Sequence, residues 1–177
     1  MFHNNLSDNL YDTEYFLLIY QYKLQISITS LVVQVGLTKE DHEYWGRPEE
    51  LDTDRSKLFI IDAEHPGADV CGQVAATFAS GAQLFHEIDP DFATDLYKRS
   101  KEMRDFAWAH PSFAHESIAD DGDGGYYPYT SYHYVDEIIY GSLWVAKASQ
   151  LFEPDKFDEF YTLSKQWEVL AQVVRSL

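Results

Sequence analysis

Three short stretches gather side chains able to do chemistry. In DHEYWGRPEE, Asp41 to Glu50, His42 and Arg47 stand among Tyr44 and Trp45, while Gly46 and Pro48 keep the run from forming one regular helix or a central strand. Aromatic faces beside a histidine and an arginine that hydrogen-bond hydroxyls would make a sugar-contacting wall. The same residues equally describe a braced loop, with Arg47 in ion pairs and Trp45 plugging the core. In DAEHPGAD, Asp62 to Asp69, Asp62, Glu64, Asp69 and His65 offer ligands for a divalent ion, yet no two sit at i, i+4 on a helix. Pro66-Gly67 followed by Asp69 also reads as a turn and helix cap. The third stretch is Asp136-Glu137, adjacent acids at a predicted helix start after a Gly-rich loop. Hard cations such as calcium favour carboxylate oxygens with loop carbonyls, but acids in a first turn also simply complement the helix dipole. There is no serine, cysteine or histidine triad, phosphate-binding glycine loop or zinc motif in the sequence.

Mostly helical elements must position these groups. VVQVG, Val32 to Gly36, predicts a short extended segment, followed by a long loop to about Pro66 that carries the first stretch. After Pro66-Gly67 the pattern turns helical. Val70, Val74, Ala75, Phe78, Ala82 and Phe85 recur at three and four residues, and Ala75, Ala76, Ala79 and Ala82 narrow the helix for a close neighbour, with Asp69 placed to cap its start. Asp89-Pro90 breaks the chain, and Phe92, Leu96, Met103, Phe106 and Ala107 mark a second helix over about 91–108. A polar loop containing ADDGDGG leads to a third helix from near Tyr134 to near Gln150, and a fourth covers about 156–176. The result is two helical hairpins with long loops, and such hairpins bury their apolar stripes only against further hairpins.

The 177 residues, 45% hydrophobic and 16% aromatic, suffice for one domain with a core. Thirty acidic against 13 basic residues give a formal charge of -17, without a Lys/Arg cluster, so nucleic acid and anionic membranes are not expected partners. Cys71 stands alone, which excludes an intrachain disulfide and a cysteine zinc cluster. The first residues carry Asp8, Asp12 and Glu14 without Lys or Arg, so no signal peptide is visible.

Read together, the blocks are more specific. VQVG, DHEYWGRPE, DAEHPGADVCGQVAA and YHYVDEIIYGSLWVAKAS, in that order and spacing, closely resemble the central part of glycoside hydrolase family 9, cellulases built on a barrel of six helical hairpins. The resemblance covers about 31–150, with the following helix also fitting, and leaves 1–30 as an unmatched N-terminal segment ahead of a partial catalytic domain over 31–177. The implied fold is all-α, a partial (α/α)6 six-hairpin barrel of about two hairpins plus long loops.

The implied activity is endo-1,4-β-glucanase, hydrolysing cellulose-like glucans with inversion. That chemistry needs a base and an acid carboxyl held roughly 6.5–9.5 Å apart. The family base belongs to an upstream D-A-G-D motif and the acid to a glutamate near the C-terminus, so the resemblance assigns no catalytic residue here. It implies a fragment retaining part of the substrate cleft. Alternatives are a non-catalytic glucan-binding protein and a truncated product without independent activity. His42 matches the histidine that hydrogen-bonds sugar beside the cleavage point. Tyr127 matches a substrate tyrosine, with Tyr129 as the alternative. Asp136 and Glu137 match the pair that holds a structural calcium, although Tyr132-His133 replaces the usual Ser-Gly carbonyl donors and leaves the site incomplete. Gln73 stands where the family has glutamate. The expected partner is a β-1,4-glucan or cello-oligosaccharide, with self-association through exposed helix faces, in an extracellular setting.

Overall fold

A computed structural model describes residues 30–52, 56–117 and 130–165. Strand β1 (Leu31–Val35) pairs antiparallel with β2 (Leu58–Ile61), Leu31 opposite Ile61 and Val35 opposite Leu58, with an irregularity between Val32 and Gln34. β1 is the extended segment expected from VVQVG, but β2 falls inside the stretch read as loop. LFII is apolar throughout, so its alternation, with Phe59 and Ile61 inward and Leu58 and Ile60 outward, leaves no period in the residue types. Gly36 ends β1 at φ 81°, a left-handed conformation that favours glycine, and its N–H donates to the Lys57 carbonyl at 2.8 Å.

Helix α1 (Thr38–Glu43) takes in Asp41 and His42, and a 3-10 turn occupies Pro48–Glu50, so the loop is less irregular than its glycine and proline suggest. Then come α2 (Ala68–Phe85), α3 (Pro90–Ala109), the single turn α4 (Ala114–Ser117) and α5 (Val135–Phe152), after which residues 157–165 (α6) are helical. Asp89 caps α3 as its sequence predicts. The carboxylate accepts the Phe92 N–H at 3.1 Å, and Pro90 fills the first helical position, where a missing N–H costs nothing. The expected cap of α2 is different. Gly67 holds the N-cap position without a side-chain cap, and Asp69 lies inside the first turn. Among the described residues, no helix is long and apolar enough to cross a membrane.

α2 and α3 form the expected hairpin, and α5 lies against both. One core cluster joins Ile61, Ala68, Cys71, Ala75, Met103, Phe106, Ala107, Ala114 and Ile138; a second joins Ala79, Ala82, Tyr97, Val145, Ala146, Ala148 and Phe160. Each large member such as Phe106 or Ile138, buried almost completely, stabilises the fold by about 1.5–3 kcal/mol. α2 and α5 run in the same direction, because Ala68 shares a cluster with Ile138, Ala79 and Ala82 meet Val145 and Ala148, and His86 packs edge-on to Phe152 at 5.2 Å. Their backbones touch. A Cβ on Gly141 would stand 2.5 Å from the Gly72 carbonyl oxygen, and a Cβ on Gly72 would collide with the Glu137 carbonyl. α3 is tied to α5 by polar contacts at both ends. Trp108 Nε1 donates to Ser142 Oγ at 3.1 Å, while Tyr97 Oη and Lys101 Nζ donate to Glu153 Oε2 at 2.9 and 2.7 Å.

Candidate functional site

The parallel course of α2 and α5 brings their N-termini to one end of the molecule, and the partial positive charge there favours acids. Asp69 sits in one first turn, Asp136 and Glu137 in the other. Between them opens a cleft of about 260 Å³ lined by Asp69, Val70, Gln73, Val74, Thr77, Ser131 and Glu137. Asp69, Gln73 and Thr77 lie four residues apart along one face of α2, a polar stripe visible in the sequence but not read there as a cleft wall. Gln73, first noted as a departure from the family pattern, therefore faces the cleft rather than the packed side of the helix.

Glu137 is the most perturbed acid near this cleft. Its Oε2 is buried without a hydrogen-bond partner among the described residues. Burial, followed by the hydrogen bond to Asp136 and the charges of Asp136 and Asp69, pushes its carboxyl up to about 7. An orphaned carboxylate oxygen beside a second acid fits a hard cation in donor chemistry. Among the described residues, however, no group of three or more His, Cys, Asp or Glu side chains is placed to hold a metal ion.

DAEHPGAD divides between two tasks. Asp62 Oδ1 accepts the N–H groups of Glu64 and His65 at 2.9 and 2.7 Å and pairs with His65 Nδ1 at 3.1 Å, closing a turn. The His65 backbone N–H is the largest influence holding the Asp62 carboxyl below its ordinary range. Asp69 instead reaches across to the segment after α3, where its Oδ1 accepts the Ala114 N–H at 2.9 Å. These four residues thus brace turns and seams rather than converge on one ion. Cys71 is buried, and desolvation followed by the Asp69 charge pushes its thiol up to about 12, so it remains protonated and unreactive.

His42 is half-buried in the last turn of α1 and does not line this cleft. Trp45 is 92% exposed and plugs no core, which leaves its indole face open to solvent. Tyr44 Oη donates to the Arg47 carbonyl at 3.1 Å and folds over Gly46, where a Cβ would strike the phenol ring. Arg47 and Glu49 are exposed. Tyr127 and Tyr129 lie outside the described residues.

Comparison with known proteins gives this geometry a context. Endoglucanase 19 of rice is 36% identical over 121 residues, covering 68% of this chain and 23% of the relative. A solved endoglucanase from the termite Nasutitermes takasagoensis aligns with TM-score 0.66 and 26% identity over 83% of this chain and 32% of that one. The cellulase Cel9M of C. cellulolyticum, solved with cellobiose, aligns with TM-score 0.64 over 87% of this chain and 32% of its own, and at 24% identity it speaks to the fold alone. The helical arrangement is accordingly part of the (α/α)6 barrel of these cellulases. The chain spans about a quarter of the length of the curated relatives it matches. The family model of glycosyl hydrolase family 9 matches residues 3–171, which takes in residues ahead of the four motif blocks. The chain belongs to glycosyl hydrolase family 9.

Proposed function

We propose that this chain forms one wall of the substrate cleft of an endo-1,4-β-glucanase and binds β-1,4-glucan in an extracellular setting. The observation that carries the reading is the cleft between the N-termini of α2 and α5, on helices shared with solved cellulases. Gln73, Thr77 and Ser131 present amide and hydroxyl groups to it, the donors and acceptors that sugar hydroxyls require. Outside that cleft, His42 hydrogen-bonds the sugar near the cleavage point, Trp45 offers an exposed stacking face, and Tyr127 is a further substrate contact. Inverting hydrolysis needs a base to activate water and an acid to protonate the leaving oxygen. Neither role is assigned to a residue of this chain, whose own part is to bind and orient the glucan.

Asp136 and Glu137 are proposed to hold a calcium ion. When bound, the ion would neutralise adjacent carboxylates in the first turn of α5 and give the buried Glu137 oxygen a partner. Titration of the 177-residue chain with cellohexaose, followed by calorimetry and tryptophan fluorescence, tests the binding reading. Saturable heat with a fluorescence change is expected, together with no release of reducing ends from carboxymethylcellulose. Absence of both binding signals would refute it.

A further inference from the structure

Three hydrogen bonds join the start of α2 to the segment after α3. The Ala68 N–H donates to the Ser112 carbonyl at 2.8 Å, Ser117 Oγ donates to the Pro66 carbonyl, and Asp69 Oδ1 accepts the Ala114 N–H. The approach is close enough that a Cβ on Gly67 would lie 2.9 Å from Ala114 Cβ. Asp69 is the one charged member of these contacts, only 7% exposed, and it also lines the cleft.

The segment it grips touches the opposite wall. Phe113 packs edge-on against Tyr134 with ring centroids 5.0 Å apart. Tyr134 immediately precedes α5, and its carbonyl accepts the Ile138 N–H at 3.1 Å. Ser131 and Glu137, three residues to either side of Tyr134, line the cleft facing Asp69 and Gln73. A continuous path of contacts therefore runs from one wall through Ala114, Phe113 and Tyr134 to the other.

We propose that Asp69 is a positioning residue that sets the width of the cleft, acting through the Ala114 N–H and the Phe113–Tyr134 contact rather than by touching glucan. The proposal rests on the glucan-binding reading for its consequence, but the clamp itself is a claim about geometry. What matters in it is an acceptor oxygen at Asp69 and a donor at Ala114. The negative charge of Asp69 is secondary.

Three variants of the 177-residue chain separate these roles. Asp69→Ala removes the acceptor. Asp69→Asn keeps an oxygen in place and removes the charge. Ala114→Pro removes the donor and leaves every cleft-lining side chain chemically unchanged, at the first position of α4, where a missing N–H breaks no helical hydrogen bond. Losing this buried hydrogen bond predicts about tenfold weaker cellohexaose binding for Asp69→Ala and for Ala114→Pro, with Asp69→Asn within about threefold of the parent. The same two disruptive variants should shift the amide resonances of Ser131 and Tyr134 on the far wall, while Asp69→Asn leaves them near their original positions. If Asp69→Ala loses binding and Ala114→Pro does not, Asp69 acts by direct contact and the proposal fails. Unmoved far-wall resonances in Ala114→Pro also overturn it. Should Asp69→Ala fail to fold, the Asp69→Asn and Ala114→Pro pair decides by the same criteria. If the parent chain shows no cellohexaose binding, the glucan reading falls, and the amide shifts still judge the clamp.

Discussion

Gly141→Ala adds one methyl group where α5 crosses α2. That Cβ would stand 2.5 Å from the Gly72 carbonyl oxygen, whereas carbon and carbonyl oxygen in close contact are about 3.3–3.6 Å apart. The obstacle is backbone, so no rotamer change relieves it, and the helices must part by about 1 Å, estimated from that ordinary contact distance. Overpacking of this kind costs about 1–3 kcal/mol. Replacing glycine by alanine inside a helix returns about 1 kcal/mol of intrinsic preference. Because the obstacle is backbone, the upper part of the overpacking range applies, about 2–3 kcal/mol, so the net expectation is a loss of ~1–2 kcal/mol, read in urea titration, and a melting midpoint lower by about 2–8 °C for a chain of this length. Gly81→Ala is the matched control, since its new Cβ meets only the flexible end of Leu96 at 3.2 Å. It should be neutral or stabilising by up to about 1 kcal/mol. A Gly141→Ala chain as stable as the parent, with its midpoint moving like that of Gly81→Ala, would refute the backbone crossing.

Other consequences are open to direct measurement. His42→Ala should weaken cellohexaose binding by about five- to tenfold with little change in melting midpoint, since His42 belongs to neither core cluster; unchanged affinity in a titration would remove His42 from the site. Glu137 has its folded carboxyl raised from 4.5 to about 7. Between those values the folded state binds more protons than the unfolded state, so this group's contribution to stability falls as pH rises from about 4.5 to about 7. Glu137→Gln should flatten that decline in thermal melts across the window; an unaltered pH slope argues against it. Millimolar calcium should raise the melting midpoint more at pH 8 than at pH 5, and should lose this effect in Glu137→Gln. Tyr97→Phe removes the hydroxyl that donates to Glu153 at 2.9 Å and should cost ~1–2 kcal/mol in urea titration; a neutral result would show that Lys101 alone holds that corner.

The long helices were legible because their small and apolar residues recur at helical spacing, and Asp89-Pro90 states a helix start in two residues. α2 and α5 were found to within about two residues of their observed ends. The family blocks, read in order, identified the barrel. β2 escaped because LFII is apolar on both faces, and the difference between those faces is set by which side meets Ala68 and Phe106. Asp69 was expected as a cap from its place after Pro66-Gly67. Its partner, Ala114, donates a backbone N–H, a group every non-proline residue carries, so no residue type advertises the bond. The cleft stripe of Asp69, Gln73 and Thr77 was readable in principle, since four-residue spacing places them on one face. What it faced depended on the parallel direction of α5, which follows from tertiary packing.

The glycine crossing also limits how this molecule can change. In most cores an enlarged side chain can be accommodated by a smaller neighbour, and successive substitutions can drift through compensated pairs. At Gly72 and Gly141 the opposing groups are peptide carbonyls, which no substitution can shorten. A larger residue at either site has no local suppressor, so repair comes by reversion or by moving a whole helix.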